Sequence, residues 1–231
     1  LKNISKPFRS AVVTIGNFDG VHVGHKALFE KVIRKAETLG GTSVVVTFEP
    51  HPIRVLNCHK DFPLITLYEQ KVELIGAIGV DELVCIPFTH EFAATPARSF
   101  VQNILSDTIG MKAIIVGPDY SFGRKREGNI GLLREMGESS GFEVIVSNWV
   151  EQGPRRISST EIRKLVKAGE VEEAAGLLGR YHQLRGRVIQ GRDRGGKVLG
   201  FPTANLAISD ELCPVEGIYV VTVEHDKRTY G

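Results

Sequence analysis

The residues with the clearest capacity for chemistry are His22 and His25, which end the stretch Gly16-Asn17-Phe18-Asp19-Gly20-Val21-His22-Val23-Gly24-His25. They stand three apart where a glycine-rich turn meets a helix-like segment, a spacing that lets both imidazoles face one point. Glycines allow close backbone approach, and a helix N-terminus offers free N–H groups and positive potential; together these suit a phosphate. Imidazoles placed there can donate hydrogen bonds to non-bridging oxygens as charge grows in a transition state. The spacing is not that of a P-loop, because no Gly-Lys-Ser/Thr follows, nor that of the dinucleotide GxGxxG. No Ser or Cys is paired with a base. Direct in-line attack on phosphorus, catalysed by positioning and charge stabilisation, therefore fits better than a covalent intermediate. The plain alternative is a tight turn with a capping histidine.

A second stretch, Arg156-Ile157-Ser158-Ser159-Thr160-Glu161-Ile162-Arg163, opens a later helix. Ser158 and Glu161 have capping-box spacing, which any helix start can show. Arginines at 156 and 163 flank the free helix amides, and that combination suits an anion.

These two stretches need a frame that brings them together. Residues 11–15, 42–48, 82–86, 113–116 and 142–146 read as short apolar strands. Segments 26–39, 67–78, 95–109 and 129–140 read as helices between them, with further helices from 158 and over 171–178. The strand runs are continuous rather than alternating, so helices should cover both sheet faces. The β-α alternation predicts a mostly parallel sheet, an α/β Rossmann-like fold, with ligands beyond the carboxyl ends of the strands. Loops 16–25, 48–52, 117–128 and 151–160 should all converge there. The run Arg124-Lys125-Arg126 reads as a solvated loop or a phosphate clamp.

The 231 residues carry a net charge of +2 and are 42% hydrophobic. That suits one sizeable α/β domain, alone or with part of another, and shows no nucleic-acid footprint. Cys58, Cys85 and Cys213 are scattered with no CxxC pair, which suggests neither zinc nor disulfides and fits a reducing, cytoplasmic setting. Residues 1–10 lack the apolar core of a signal peptide, and no apolar run reaches ~18 residues, so no membrane association is expected. Composition shifts at 179–182. Beyond it, 184–190 and 219–224 read as strands punctuated by Gly191, Gly195, Gly196 and Gly200. The expected division is 1–180 and 181–231. Roughly 50 residues of all-β pattern cannot close a barrel, so the second unit is expected to be incomplete and to lack activity of its own.

Gly16 to His25 resembles the HxGH signature of the nucleotidyltransferase superfamily. Taken with Thr47 to Pro52, Val116 to Gly123 and Arg156 to Arg163, it resembles the adenylyltransferase module of bacterial FAD synthetases. Gly200-Phe201-Pro202-Thr203-Ala204-Asn205-Leu206, and Pro214 to Val221 after it, resemble the riboflavin kinase module of the same bifunctional family. The resemblance implies formation of FAD and pyrophosphate from FMN and ATP, with Mg²⁺. His22, His25 and Arg163 would be catalytic. Gly16, Asn17, Phe18, Gly24, Arg156, Ser159, Thr160 and Arg163 would line the ATP phosphates. Phe48, Pro50, His51, Pro52, Asp119, Tyr120 and Phe122 would border the flavin. His51 is as readily a plain loop residue between two prolines, and Asp119 stands where family members often carry an amide. Thr203 and Asn205 would contact Mg²⁺ in a kinase module that phosphorylates riboflavin. The implied partners are small molecules: ATP, FMN and riboflavin. Alternatives are an HxGH adenylyltransferase for nicotinamide mononucleotide or phosphopantetheine, and a non-catalytic flavin- or nucleotide-binding protein. A class I aminoacyl-tRNA synthetase is disfavoured, because the chain is short and has no Lys-Met-Ser-Lys-Ser-like loop.

Overall fold

The computed structural model describes residues 4–56, 62–149, 151–152, 155–190, 203–226 and 228–230. A five-stranded sheet forms its centre. The strands are β1 (Ala11–Ile15), β2 (Ser43–Glu49), β3 (Glu82–Pro87), β4 (Met111–Val116) and β5 (Glu143–Val146), in the order β3-β2-β1-β4-β5 with every neighbouring pair parallel. All five residues of β1 are buried, which is why its run is apolar without alternation. Ser43 and Asp81 pin the entry of β2 to that of β3: the Ser43 hydroxyl donates to the Asp81 carboxylate at 2.6 Å and accepts from the Asp81 N–H at 2.9 Å.

Helix α1 (Val23–Thr38) links β1 to β2. The short α2 (Pro52–Leu56) and then α3 (Tyr68–Gly76) lead to β3. After β3 come the short helices α4 (His90–Ala93) and α5 (Ala97–Ser99), and the latter runs directly into a π-helix, Phe100–Ile109. A single α-helix was expected over 95–109. The wider turn has a packing reason. Phe100, Val101, Leu105 and Ile109 are all buried. At roughly 100° per residue they would spread over about half the circumference; a wider turn gathers them on one stripe. Helix α6 (Ile130–Ser140), capped by the Asn129 side chain, precedes β5.

Two residue pairs, β6 (Glu151–Gln152) and β7 (Arg155–Arg156), form a short antiparallel ribbon before α7 (Ser159–Ala168) and α8 (Val171–Leu178). Past residue 181 the described residues hold two antiparallel pairs: β8 (Arg187–Ile189) with β9 (Asn205–Ala207), and β10 (Val223–His225) with β11 (Arg228–Tyr230). The strand expected over 219–224 begins only at Val223, and Ile218 and Val220 are fully exposed.

The winding reverses at β1. From β1 the chain builds outward to β2 and β3 on one side, then returns to add β4 and β5 on the other. The loops leaving β1 and β4 therefore diverge and open a crevice between them, the place where open α/β sheets bind ligands.

Candidate active site

A cleft of about 460 Å³ occupies this crevice. Gly16 to Asp19, His22, Gly24 and His25 form one wall, and Ile157 to Thr160 with Arg163 form another. His51, Ile53, Phe62, Gly117, Asp119, Tyr120 and Ser147 to Trp149 complete the lining. The N-termini of α1 and α7 open on the same space, and first-turn amides of a helix have no partner within it. Lys31 donates to the Ser147 hydroxyl at 2.7 Å, tying α1 to the end of β5.

His22 is the N-cap of α1. Its Nδ1 accepts the backbone N–H of His25 at 3.3 Å, so in the neutral ring the proton sits on Nε2. The two imidazoles stack, 3.5 Å between centroids and 18° between planes. His25 also meets the Phe18 ring edge-on at 5.1 Å. Two glycines stand close against the aromatic rings here. A Cβ on Gly16 would lie 2.8 Å from the Phe18 ring, and one on Gly24 would lie 3.2 Å from the His22 ring. Burial drives the pKa of His22 down to about 4, with Asp19 opposing. Burial drives His25 well below its ordinary value, and the neighbouring His22 adds to this. Both rings are thus neutral near pH 7, and the His25 surface that remains open faces the cleft.

Asp19 is 2% exposed and acts as the hub of the turn. Its carboxylate accepts from the Ile65 N–H at 3.1 Å and the Thr66 N–H at 3.1 Å, and is ion-paired with Arg163. The Ser159 hydroxyl donates to the Asp19 carbonyl at 2.8 Å, joining α7 to the histidine turn. Arg180 donates to the Gly20 carbonyl at 2.8 Å from behind. Arg163 lies over the Phe62 ring, with its Cζ 4.3 Å from the centroid. Its Nε is buried with no hydrogen-bond partner among the described residues.

His51 is 8% exposed and its Nδ1 accepts the Ile53 N–H at 3.2 Å. Burial lowers its pKa to about 4, with Asp19 opposing and Arg163 assisting. Tyr120 stacks on Phe122 with 5.4 Å between centroids, and burial pushes its phenol upward.

Most of the residues singled out in the sequence thus converge: Gly16, Asn17, Phe18, His22, Gly24, His25, His51, Asp119, Tyr120, Ser159, Thr160 and Arg163. Phe48, Pro50, Pro52 and Phe122 stand outside the lining. Phe48 turns to Phe88 and Phe92, and Phe122 packs into the core against Phe100. The side chain of Arg156 lies outside the described residues. Arg124 pairs with Glu127 and Arg126 donates to the Ser121 hydroxyl, so the basic run is a solvated turn beside the cleft, not a wall of it. Thr203 and Asn205 are exposed on and just before β9.

The FAD synthetase family model matches residues 4–161. The chain belongs to the FAD synthetase family. The riboflavin kinase family model matches residues 178–231. The chain is 34% identical over 231 residues to a bifunctional riboflavin kinase/FMN adenylyltransferase of Buchnera aphidicola (subsp. Acyrthosiphon pisum), covering 100% of this chain and 74% of that one. It is 35% identical over 224 residues to the protein of the same name from Escherichia coli K12, covering 96% and 71%. A solved structure described as a macrolide-efflux protein from Streptococcus pneumoniae is 34% identical with a TM-score of 0.89, covering 99% of this chain and 74% of that one. Among the described residues, no helix is long and apolar enough to cross a membrane.

Sequence reasoning quoted Asp19 within the motif but gave it no role. The sequence shows only an acidic residue before Gly20 in a glycine-rich turn; its role comes from the groups folded around it. Phe62, Thr66 and Arg180 carried no such signal: Phe62 lines the cleft under Arg163, and Thr66 and Arg180 hold Gly20 of the turn from 46 and 160 residues away in sequence.

Proposed function

We propose that the chain transfers the adenylyl group of ATP to FMN, giving FAD and pyrophosphate. The observation that carries this is the convergence of the stacked His22–His25 pair and the α7 N-terminus, with Arg163, on one cleft. An FMN phosphate oxygen attacks the α-phosphorus of ATP in line. The new P–O bond forms as the bond to the β-bridging oxygen breaks, and pyrophosphate leaves with that electron pair. No proton need move if the attacking phosphate is already ionised.

The histidines enter as neutral rings. Their N–H groups face growing negative charge at the α-phosphoryl oxygens without first losing a hydration shell, because the site is already desolvated. The Thr160 hydroxyl and the first-turn amides of α7, those of Ser159 and Thr160 among them, receive the β- and γ-phosphates, with Arg163 beside them and Arg156 assigned to the same anion. Gly16, Asn17 and Gly24 let the triphosphate approach the backbone. Tyr120, Asp119 and His51 border the flavin. His51 also has its Nδ1 engaged and so presents Nε2–H as a donor.

Among the described residues no group of three His, Cys, Asp or Glu is placed to hold a metal ion. Mg²⁺ carried in on the triphosphate would need only one or two protein oxygens, and Asp119 and Asn17, which line the cleft, would supply them. When bound, the ion neutralises charge on the phosphates. In a complete kinase module, Thr203 and Asn205 would contact Mg²⁺ and phosphate during phosphorylation of riboflavin to FMN. The free thiols of Cys85 and Cys213 fit a cytoplasmic protein. The decisive assay supplies FMN, ATP and Mg²⁺ and reads FAD and pyrophosphate. Pyrophosphate released only with nicotinamide mononucleotide would overturn the reading.

A further inference from the structure

Part of the second module packs into the wall of the first. Segment 210–212 lies alongside Leu64. The Leu64 N–H donates to the Asp210 carbonyl and the Leu212 N–H donates to the Leu64 carbonyl, both at 2.8 Å, in a parallel bridge that pairs Leu64 with Glu211. Leu212 is 1% exposed and sits in one apolar cluster with Ile65, Ile162, Leu165 and Leu178. Arg54 grips Asp210 at 3.3 Å, through both its carbonyl and its carboxylate. The Leu212 carbonyl is 2.7 Å from His182 Nε2, and Arg185 donates its N–H to Glu211 at 2.9 Å while its guanidinium reaches Glu73 through two bonds.

The residues that follow Leu64 are the ones that hold the hub of the cleft. The Ile65 and Thr66 amides donate to Asp19, and the Thr66 hydroxyl accepts the Gly20 N–H at 3.0 Å. Asp19 in turn holds Arg163. Residues 62–66 belong to no helix or strand, so their backbone groups must find partners elsewhere, and those of Leu64 find them in segment 210–212.

We propose that segment 210–212 is a positioning element of the adenylyl-transfer cleft, with Leu212 as its anchor. It fixes Leu64, Leu64 aligns the Ile65 and Thr66 amides, these aim Asp19, and Asp19 sets where Arg163 stands. The inference rests on the adenylyl-transfer reading of the cleft. Its consequence is that FAD formation depends on residues 210–212, which lie inside the riboflavin kinase match and outside the lining of the cleft.

The test is a double-mutant cycle in the full chain with Leu212→Ala and Asp19→Asn, reading kcat and KM for FAD formation and the thermal midpoint. We expect Leu212→Ala to lower kcat/KM at least 10-fold at a temperature where the protein is fully folded, and Leu212→Met to restore most of it. In the Asp19→Asn background the same Leu212→Ala change should cost less than twofold, because the route is already cut. Losses that simply multiply, or a lowered midpoint with unchanged kcat/KM, would overturn the inference. If Leu212→Ala does not fold, Leu212→Val takes its place in the cycle under the same criteria. Wild-type protein that forms no FAD would overturn the reading of the cleft itself; active wild type with a multiplicative cycle would overturn only the positioning role.

Discussion

His22 accepts the backbone N–H of His25 through Nδ1, and the two rings stack 3.5 Å apart. One residue thus caps a helix and lines the cleft. The cap fixes the tautomer, which leaves the Nε2 proton available for the cleft. Two charged imidazoles at this distance would repel, which adds to burial in keeping the pair neutral.

The two roles of His22 separate by substitution. His22→Ala loses the cap and should cost about 1 kcal/mol of stability. His22→Asn keeps a capping oxygen and should melt close to wild type. Both should lose FAD formation. His25→Ala removes a transition-state donor and should lower kcat by roughly 10²–10³, about 3 kcal/mol. Steady-state kinetics beside thermal melts check all three. An unchanged kcat in folded His25→Ala would remove it from the mechanism.

Stability should fall on acidification from pH 6.5 towards 4. Burial lowers His22 and His51 to about 4, whereas in the unfolded chain each takes up its proton near 6.5. Between those values the unfolded chain binds more protons, so stability rises with pH. The contribution is complete above 6.5 and lost as pH drops to the native values. Each histidine supplies a slope of up to about 1.4 kcal/mol per pH unit. Denaturant titrations across pH 4.5–7.5 would show this, and His51→Gln should flatten the dependence by one such share. The same depression means kcat/KM should show no ionisation from these rings near 6.5.

Asp19 and Arg163 are unequal partners. Arg163→Ala leaves a carboxylate that is 2% exposed without its cation and should destabilise by about 3 kcal/mol, the low end for a broken buried pair, because the Ile65 and Thr66 donors remain. Asp19→Asn keeps a neutral acceptor and should cost less, while still weakening ATP binding by releasing Arg163. Chemical denaturation and the KM for ATP measure the two effects. Equal stability losses would show that the pair carries no such asymmetry.

Gly24→Ala should dissociate stability from activity. Alanine favours the first turn of α1 by up to about 1 kcal/mol over glycine. Its Cβ would stand 3.2 Å from the His22 ring and displace it. The expected variant melts close to the wild-type temperature, because the helix gain offsets the weakened His22 cap, and makes FAD at least 10-fold more slowly. Full activity would show that the ring position tolerates the shift.

The parallel α/β frame, the order of its elements and the two stretches that meet at the cleft were legible along the chain, because these signals are local. Continuous apolar runs mark buried strands, glycines mark the turns, and Ser158 marks the start of α7. Apolar spacing could not distinguish an α-helix from a π-helix over 100–109, since that depends on how the core accepts Phe100 and Leu105. Nor could it assign Asp19. A carboxylate in a turn gains its role only from the groups folded around it, here amides at 65 and 66 and a guanidinium at 163. Phe48 and Phe122 show the same limit in reverse: their motif positions pointed towards the cleft, but aromatic partners in the core hold both rings away from it. Burial of Leu212 beneath the first module is likewise a tertiary decision, because the hydrogen bonds that Leu64 lacks locally come from a segment nearly 150 residues further along the chain.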